Sequence, residues 1–237
     1  MSELVSLAQR LREELKGLDF GPPAACVYNP LEYAWEPYRD YLVRYGQATG
    51  RYVLLGMNPG PWGMAQTGVP FGEVGMVREW LGIEGPVGRP EPEHPKKPVA
   101  GFDCLRSEVS GRRLWGWARD RFGTPEVFFQ DFFVANYCPL LFLEEGGRNL
   151  TPDKLRIEDR IPMFDICDRA LLDMMEVLKP KRVIGVGKFS EGRARLSLAG
   201  SGIEIGGILH PSPASPAANR GWVPRAEQQL RELGVPI

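Results

Sequence analysis

The chain has 237 residues, a quarter of them charged, and a formal net charge of −1, so it lacks a general basic excess and any nucleic-acid contact has to be a local basic strip. No apolar run reaches 18 residues, and the N-terminus lacks the charged start, apolar middle and small-residue cleavage site of a secretory signal, which predicts a soluble intracellular protein. Cys26, Cys104, Cys138 and Cys167 are scattered without a CxxC pair, so spacing signals neither zinc nor an iron–sulfur cluster and they read as reduced structural thiols.

In chain order, Ser2 to Leu18 places Leu4, Leu7, Ala8, Leu11, Leu15 and Leu18 on one helical face ending near Gly17. Gly21 to Pro37 reads as a turn-rich connector and Tyr38 to Tyr45 as a short helix. Tyr52 to Met57 is an apolar run of strand length that breaks into Asn58, Pro59, Gly60 and Pro61, which puts a carboxamide at a strand end. The whole stretch from Tyr52 to Gly72 carries no charged side chain. Such a wall suits a flat, uncharged ligand such as a base better than a polyphosphate, which would call for lysine or arginine close by.

Val74 to Leu81 has helical spacing, and Glu84 to Pro98 is a proline-rich extended loop in which His94 reads as a solvated residue rather than a catalytic one. Ser110 to Phe122 returns to helical spacing, with Leu114, Trp115, Ala118 and Phe122 on one face and Arg112, Arg113, Arg119 and Arg121 on a solvated one. Val127 to Ala135 reads as a strand with Asn136 at its carboxyl end. Leu150 to Pro152 is a turn, and Ile161 to Leu178 is the longest helix, stopped by Lys179 and Pro180. Arg182 to Val186 is a third strand ending in Gly187 and Lys188, followed by a helix from Glu191 to Leu198. Ile203 to Leu209 is a fourth strand ending at His210, inside a second charge-free stretch from Ile205 to Asn219, and Trp222 to Leu233 is the closing helix.

Strands alternating with helices predict an α/β fold over a single domain, residues 1–237: a three-layer sandwich with a central four-stranded parallel sheet flanked by helices. All strand ends then share one rim carrying Asn58, Asn136, Gly187 and His210, and open α/β sheets bind ligands at that rim.

The residues resemble a known family. GMNPGPWGMAQTGVPFGEV at Gly56 to Val74 and HPSPASPAANRGW at His210 to Trp222 look like the two signature motifs of the single-strand-selective monofunctional uracil-DNA glycosylases, within the uracil-DNA glycosylase superfamily. The similarity continues through EHPKKPV, SEVSGRRLWG, PEVFFQDFFVANYCPLLFL and GRNLTP. It implies a base-excision repair enzyme that flips uracil, or a 5-substituted uracil such as 5-hydroxymethyluracil, out of single- or double-stranded DNA and hydrolyses its N-glycosidic bond without cutting the strand.

By that resemblance Asn58 positions a water and His210 donates a hydrogen bond to uracil O2 as negative charge develops there. Phe71 stacks on the ring, Asn136 reads its Watson–Crick edge, and Met57, Gly60 and Met64 line the pocket, the last two facing C5 of the ring. Pro211, Ser212, Pro213, Asn219 and Arg220 fall in a DNA-penetrating segment with a short helix, in which Ala214 stands where several relatives carry arginine. Lys188 is the one amine near the third strand end, read as a phosphate contact or a solvated helix start rather than a Schiff-base nucleophile. The resemblance implies DNA as partner, no metal or organic cofactor, no membrane, a monomer, and a cytoplasmic place in a bacterium or a nuclear one in a eukaryote. Two other classes stay open: a non-catalytic single-stranded DNA-binding module, which would need neither Asn58 nor His210, and a small-molecule nucleoside hydrolase, which would need no penetrating segment.

Overall fold

The structure is a computed structural model and describes residues 2–237. The first part of the chain forms α1 (Glu3–Lys16), β1 (Cys26–Tyr28), α2 (Pro30–Tyr33), α3 (Trp35–Tyr45), β2 (Tyr52–Gly56) and α4 (Met64–Thr67). A π-helical turn at Met76–Trp80 and a 3-10 turn at Gly101–Asp103 lead to α5 (Val109–Phe122), α6 (Pro125–Asp131), β3 (Phe132–Asn136), β4 (Leu141–Leu143) and β5 (Asn149–Leu150). The chain closes with α7 (Ile157–Leu178), β6 (Arg182–Val186), α8 (Lys188–Ser197), β7 (Glu204–Ile208), α9 (Pro216–Asn219) and α10 (Trp222–Glu232).

The central sheet has four parallel strands in the order β3-β2-β6-β7. Val53, Leu54 and Leu55 of β2 are all buried, so both faces of the strand are covered; that is why this strand reads as an unbroken apolar run rather than an alternating one. Helices α1, α7 and α8 pack in sequence on one another, and α5 packs with α6 and α10. Leu4, Val5, Ala8, Leu11 and Leu15 form the buried stripe of α1, as the helical spacing predicts.

Several elements differ from their sequence reading. Val127 to Ala135 is not one strand. Thr124 accepts a hydrogen bond from Val127 N at 3.5 Å and Pro125 occupies the first helical position, so the run opens as α6 and becomes β3 only at Phe132. Phe128 and Phe132 stack across that junction, ring centroids 5.2 Å apart and 10° from parallel. An all-apolar run hides the change of period. The connector from Gly21 to Pro37 contains β1 and α2, and β1 joins β4 and β5 in a second, antiparallel sheet of three strands. Helix α7 starts at Ile157, before Pro162, because Asp159 in its first turn holds Arg156 at 2.9 Å and accepts from Gly21 N at 3.1 Å. Helix α8 begins at Lys188, directly after the strand end.

The proline-rich loop is pinned rather than solvated. His94 is buried: its backbone N–H donates to Tyr28 Oη at 2.7 Å, its Nδ1 accepts from Lys96 N at 3.1 Å, and Nε2, left with the ring proton, donates to Glu145 O at 3.1 Å. Tyr28 in turn donates to Lys97 O at 2.9 Å. Gln66, fully buried on α4, donates to Pro61 O at 2.8 Å and Pro98 O at 3.1 Å and accepts from Ala100 N at 2.9 Å.

Candidate active site

Register builds the centre of the site. Gly56 of β2 pairs with Asn136 of β3, and the pairing runs past the strand ends because Tyr137 N–H donates to Gly56 O and Cys138 N–H to Met57 O, both at 2.9 Å. A Cβ on Gly56 would collide with Asn136 Oδ1 and lie 2.6 Å from Phe71 Cε2. Only a residue without a side chain leaves carboxamide and aromatic ring the same space. Asn136 Nδ2 has the Met64 sulfur as its partner at 3.2 Å, a weak acceptor.

Phe71 is buried and adopts φ 53°, a left-handed conformation uncommon for an aromatic residue. Its neighbours fix it there. Trp115 Nε1 donates to Pro70 O at 3.2 Å, Thr67 Oγ1 donates to Gly72 O at 2.9 Å, and Gly111 of α5 lies so close to Phe71 O that a Cβ would strike it. Backbone strain held in this way is a mark of functional sites.

His210 enters from the far side. Its ring centroid is 6.0 Å from that of Phe71 with 37° between the planes. Gly187, at φ 95°, makes room for it, since a Cβ there would stand 3.1 Å from His210 Cβ and 3.4 Å from Cδ2. The preceding residue is clamped by α10: Leu209 N donates to Gln229 Oε1 at 2.7 Å and Trp222 Nε1 to Leu209 O at 2.6 Å. Burial pushes the imidazole down to about 4, so at neutral pH it is uncharged and carries one N–H donor.

Asn58, half-buried, donates Nδ2 to Leu140 O at 3.0 Å, which orients the amide and leaves Oδ1 as a free acceptor. Gly60 and Gly63 lie against the carboxyl of Glu108: a Cβ on Gly60 would be 2.6 Å from Oε1, and one on Gly63 would collide with Oε2. Glu108 Oε2 is buried without a hydrogen-bond partner, and burial first, then the neighbouring Glu73 charge, push this carboxyl up to about 7. Nothing in the sequence around Glu108 singles it out as a site residue. Two nearby glycines signal a close approach, but nothing in their spacing says what approaches.

Beyond His210 the chain is tied down by a residue read from sequence as part of a solvated face. Arg113 of α5 donates to Pro211 O and to Asn219 Oδ1, both at 2.9 Å. Asn219 Nδ2 donates to Pro213 O at 2.8 Å, so both ends of this amide are engaged within the protein. Ser212 Oγ accepts from Ala214 N at 3.1 Å, shaping the turn, while Pro213, Ala214 and Arg220 are exposed. Lys188, its side chain 95% exposed, pairs with Glu191 at 2.9 Å. Thus Asn136, Met64, Phe71 and His210 converge, Met57, Asn58 and Gly60 form the adjoining strand-end loop, and Lys188 stands apart. A cleft of about 650 Å³ lined by Leu15, Phe20, Tyr33 and Pro92 lies elsewhere and contains none of these residues. Among the described residues there is no cluster of histidine, cysteine and carboxylate side chains able to hold a metal, the four cysteines are free, and no helix is long and apolar enough to cross a membrane.

The family model of the uracil DNA glycosylase superfamily matches residues 43–231. The single-strand selective monofunctional uracil DNA glycosylase of Mus musculus is 53% identical over 228 residues, covering 95% of this chain and 82% of that protein. Its counterpart in Bos taurus is 52% identical over 228 residues, covering 95% of this chain and 84% of that protein. The crystal structure of wild-type SMUG2 from Pedobacter heparinus superposes with a TM-score of 0.68 at 17% identity, over 96% of this chain and 97% of that one, which shows a shared fold.

Proposed function

The chain belongs to the uracil DNA glycosylase superfamily, and from that premise we propose that it hydrolyses the N-glycosidic bond of uracil in single-stranded DNA, leaving an abasic site in an intact strand. The observation that carries this reading is the convergence above Gly56 of a carboxamide, an aromatic ring and, beyond them, a neutral imidazole.

The chemistry follows from what each group has free. Extruding a base costs a few kcal/mol and is cheapest from a single strand. Phe71, fixed before the base arrives, gives it a flat apolar face worth roughly 1 to 3 kcal/mol. Asn136 accepts from uracil N3–H through Oδ1 and donates through Nδ2 to O4, exchanging a thioether contact for a carbonyl at little loss. Cytosine presents the reverse pattern and meets donor with donor.

Bond cleavage leaves positive charge on the sugar and negative charge on the departing base. His210, uncharged at neutral pH, donates its N–H to O2 as that charge grows. Asn58, with Nδ2 held by Leu140 O, uses Oδ1 to orient a water, and an amide cannot take the water's proton. The reaction therefore leans on stabilising the leaving group rather than on general-base attack. Strand cutting through a Schiff base would need a free amine, and the Lys188 ammonium is exposed and paired with Glu191.

The same wall extends the reading to 5-hydroxymethyluracil. Gly60 brings only backbone toward C5, the side a Cβ would take being filled by the Glu108 carboxyl, and this leaves room for a hydroxymethyl group or a water, whereas the methyl group of thymine would displace that water without replacing its hydrogen bonds. In duplex DNA the segment from Pro211 to Arg220 would fill the gap left by the base, with Ala214 a small wedge, so duplex substrate is taken less well than single strands.

The test is incubation with a single-stranded oligonucleotide containing one uracil, without added metal. Free uracil and alkali-labile sites are expected, declining in duplex and at high salt. Binding without release would leave a DNA-binding module, and release from free deoxyuridine but not from the oligonucleotide would leave a nucleoside hydrolase; either result overturns the reading.

A further inference from the structure

Trp62 lies between the two glycines that pack on Glu108, and its half-exposed ring carries two cations: Lys97 Nζ is 4.8 Å and the Arg106 guanidinium carbon 4.4 Å from the ring centroid. Neither cation has a carboxylate within 4.0 Å among the described residues, whereas Arg10, Arg44, Arg119 and Arg231 on other surfaces do. Cation–π attraction explains how each is held on the ring, but it does not explain why two like charges share one ring with no anion between them. Partial burial, and then repulsion from Arg106, hold the Lys97 ammonium below its ordinary range, and a nearby anion would relieve that repulsion.

The arrangement is fixed in advance. Gln66 ties Pro61, the residue before Trp62, to Pro98, the residue after Lys97, and Tyr28 holds Lys97 O. Arg106 precedes by two residues the Glu108 carboxyl seated on Gly60 and Gly63. With Cα atoms about 3.8 Å apart along the chain, Trp62 stands within about 8 Å of both Gly60 and Met64, the walls of the cup. A net charge of −1 requires DNA contact to be local, and this basic pair rests on an indole two residues along the chain from Gly60 and Met64.

We propose that Lys97 and Arg106, presented on the indole of Trp62, form a subsite for a backbone phosphate of single-stranded DNA next to the extruded nucleotide. This rests on the glycosylase reading above. The anion is a phosphodiester because Arg106 is exposed and Lys97 half-buried, so the pair is not enclosed as a site for a free small anion would be, and because the indole that carries it lies two residues along the chain from Gly60 and Met64.

The test measures binding of a fluorescent, uracil-free single-stranded oligonucleotide, followed by turnover of the same strand with one uracil. For Arg106→Glu, an exposed position, binding is expected to weaken at least tenfold, and KM to rise by a similar factor with no fall in the rate at saturating DNA. For the double variant Lys97→Ala/Arg106→Ala, the slope of log affinity against log salt is expected to shrink by about 0.7, the loss of one neutralised phosphate. Trp62→Phe, which keeps a ring under the cations, is expected to lose less than Trp62→Ala. Unchanged affinity and salt slope in both cation variants, with melting temperatures like that of the parent, would overturn the subsite. A parent protein that releases no uracil but shows these binding losses would instead overturn the glycosylase reading and leave the phosphate subsite standing.

Discussion

The chain has two histidines, and their surroundings differ in a way that separates two regions of the molecule. In the proline-rich flank, His94 uses both ring nitrogens, Gln66 makes bonds to Pro61, Pro98 and Ala100, and Tyr28 both donates and accepts. On the rim of the parallel sheet, His210 has no hydrogen bond to its ring among the described residues, Asn58 keeps Oδ1 free and Asn136 has only a sulfur for Nδ2. Partly buried polar atoms without partners cost about 1 to 3 kcal/mol each unless water or a ligand serves them. The flank saturates its own polar groups and so holds still. The rim leaves its bonding capacity open, as the proposed reading of a bound base requires.

If that division holds, substitutions on the rim change rate and substitutions on the flank change stability. His210→Ala is expected to lower turnover of uracil-containing single strands by about 100- to 1,000-fold, the usual loss for one preorganised donor, with DNA affinity kept. A fully active protein would erase the contrast between the two histidines. Asn58→Ala is expected to lose more than tenfold in rate, again with affinity kept, as read by single-turnover kinetics beside a binding titration. Gln66→Ala, on the other side of the comparison, is expected to lose about 1 to 2 kcal/mol of stability in urea, because it leaves Pro61 O, Pro98 O and Ala100 N without their partner in a partly buried place and empties a buried site. A stability loss in His210→Ala as large as that in Gln66→Ala would break the division.

The smallest effect is the dependence of stability on pH, to which two buried groups contribute with opposite sign. His210, at about 4 against an ordinary 6.5, makes the folded state lose stability as pH falls from about 6.5 to about 4, because only the unfolded chain takes up that proton. Glu108, at about 7 against an ordinary 4.5, contributes stability below about 4.5 that is lost as pH rises to about 7. Glu108→Gln is expected to flatten the second slope and leave the first. Urea unfolding at intervals from pH 4 to pH 8 reads both, and an unaltered slope in the variant would mean that the carboxyl is solvated.

The rim was legible because its signals are local. A strand-length apolar run followed by Asn58 and Pro59, or by His210 and Pro211, needs no partner to be read, and parallel order then puts the ends together. The residues that went unread act across the chain. His94 looks solvated beside Glu93, Lys96 and Lys97 until Tyr28 and Glu145 are brought to it. Arg113 looks like one more surface arginine until Pro211 and Asn219 lie under it. The second sheet escaped for the same reason, since β1, β4 and β5 are each two or three residues long and show no period of their own. Helix α6 reads as strand because Thr124 and Pro125 are the only marks of its start.

The first turns of α5 touch the rim at three places: Glu108 at its start backs Gly60 and Gly63, Gly111 abuts Phe71 O, and Arg113 grips Pro211 and Asn219. One rod therefore braces the stacking platform, the wall facing the ring edge and the segment behind the imidazole. A slide of that rod by a fraction of an ångström would strain all three contacts together, so their positions are tied to one another through a single helix.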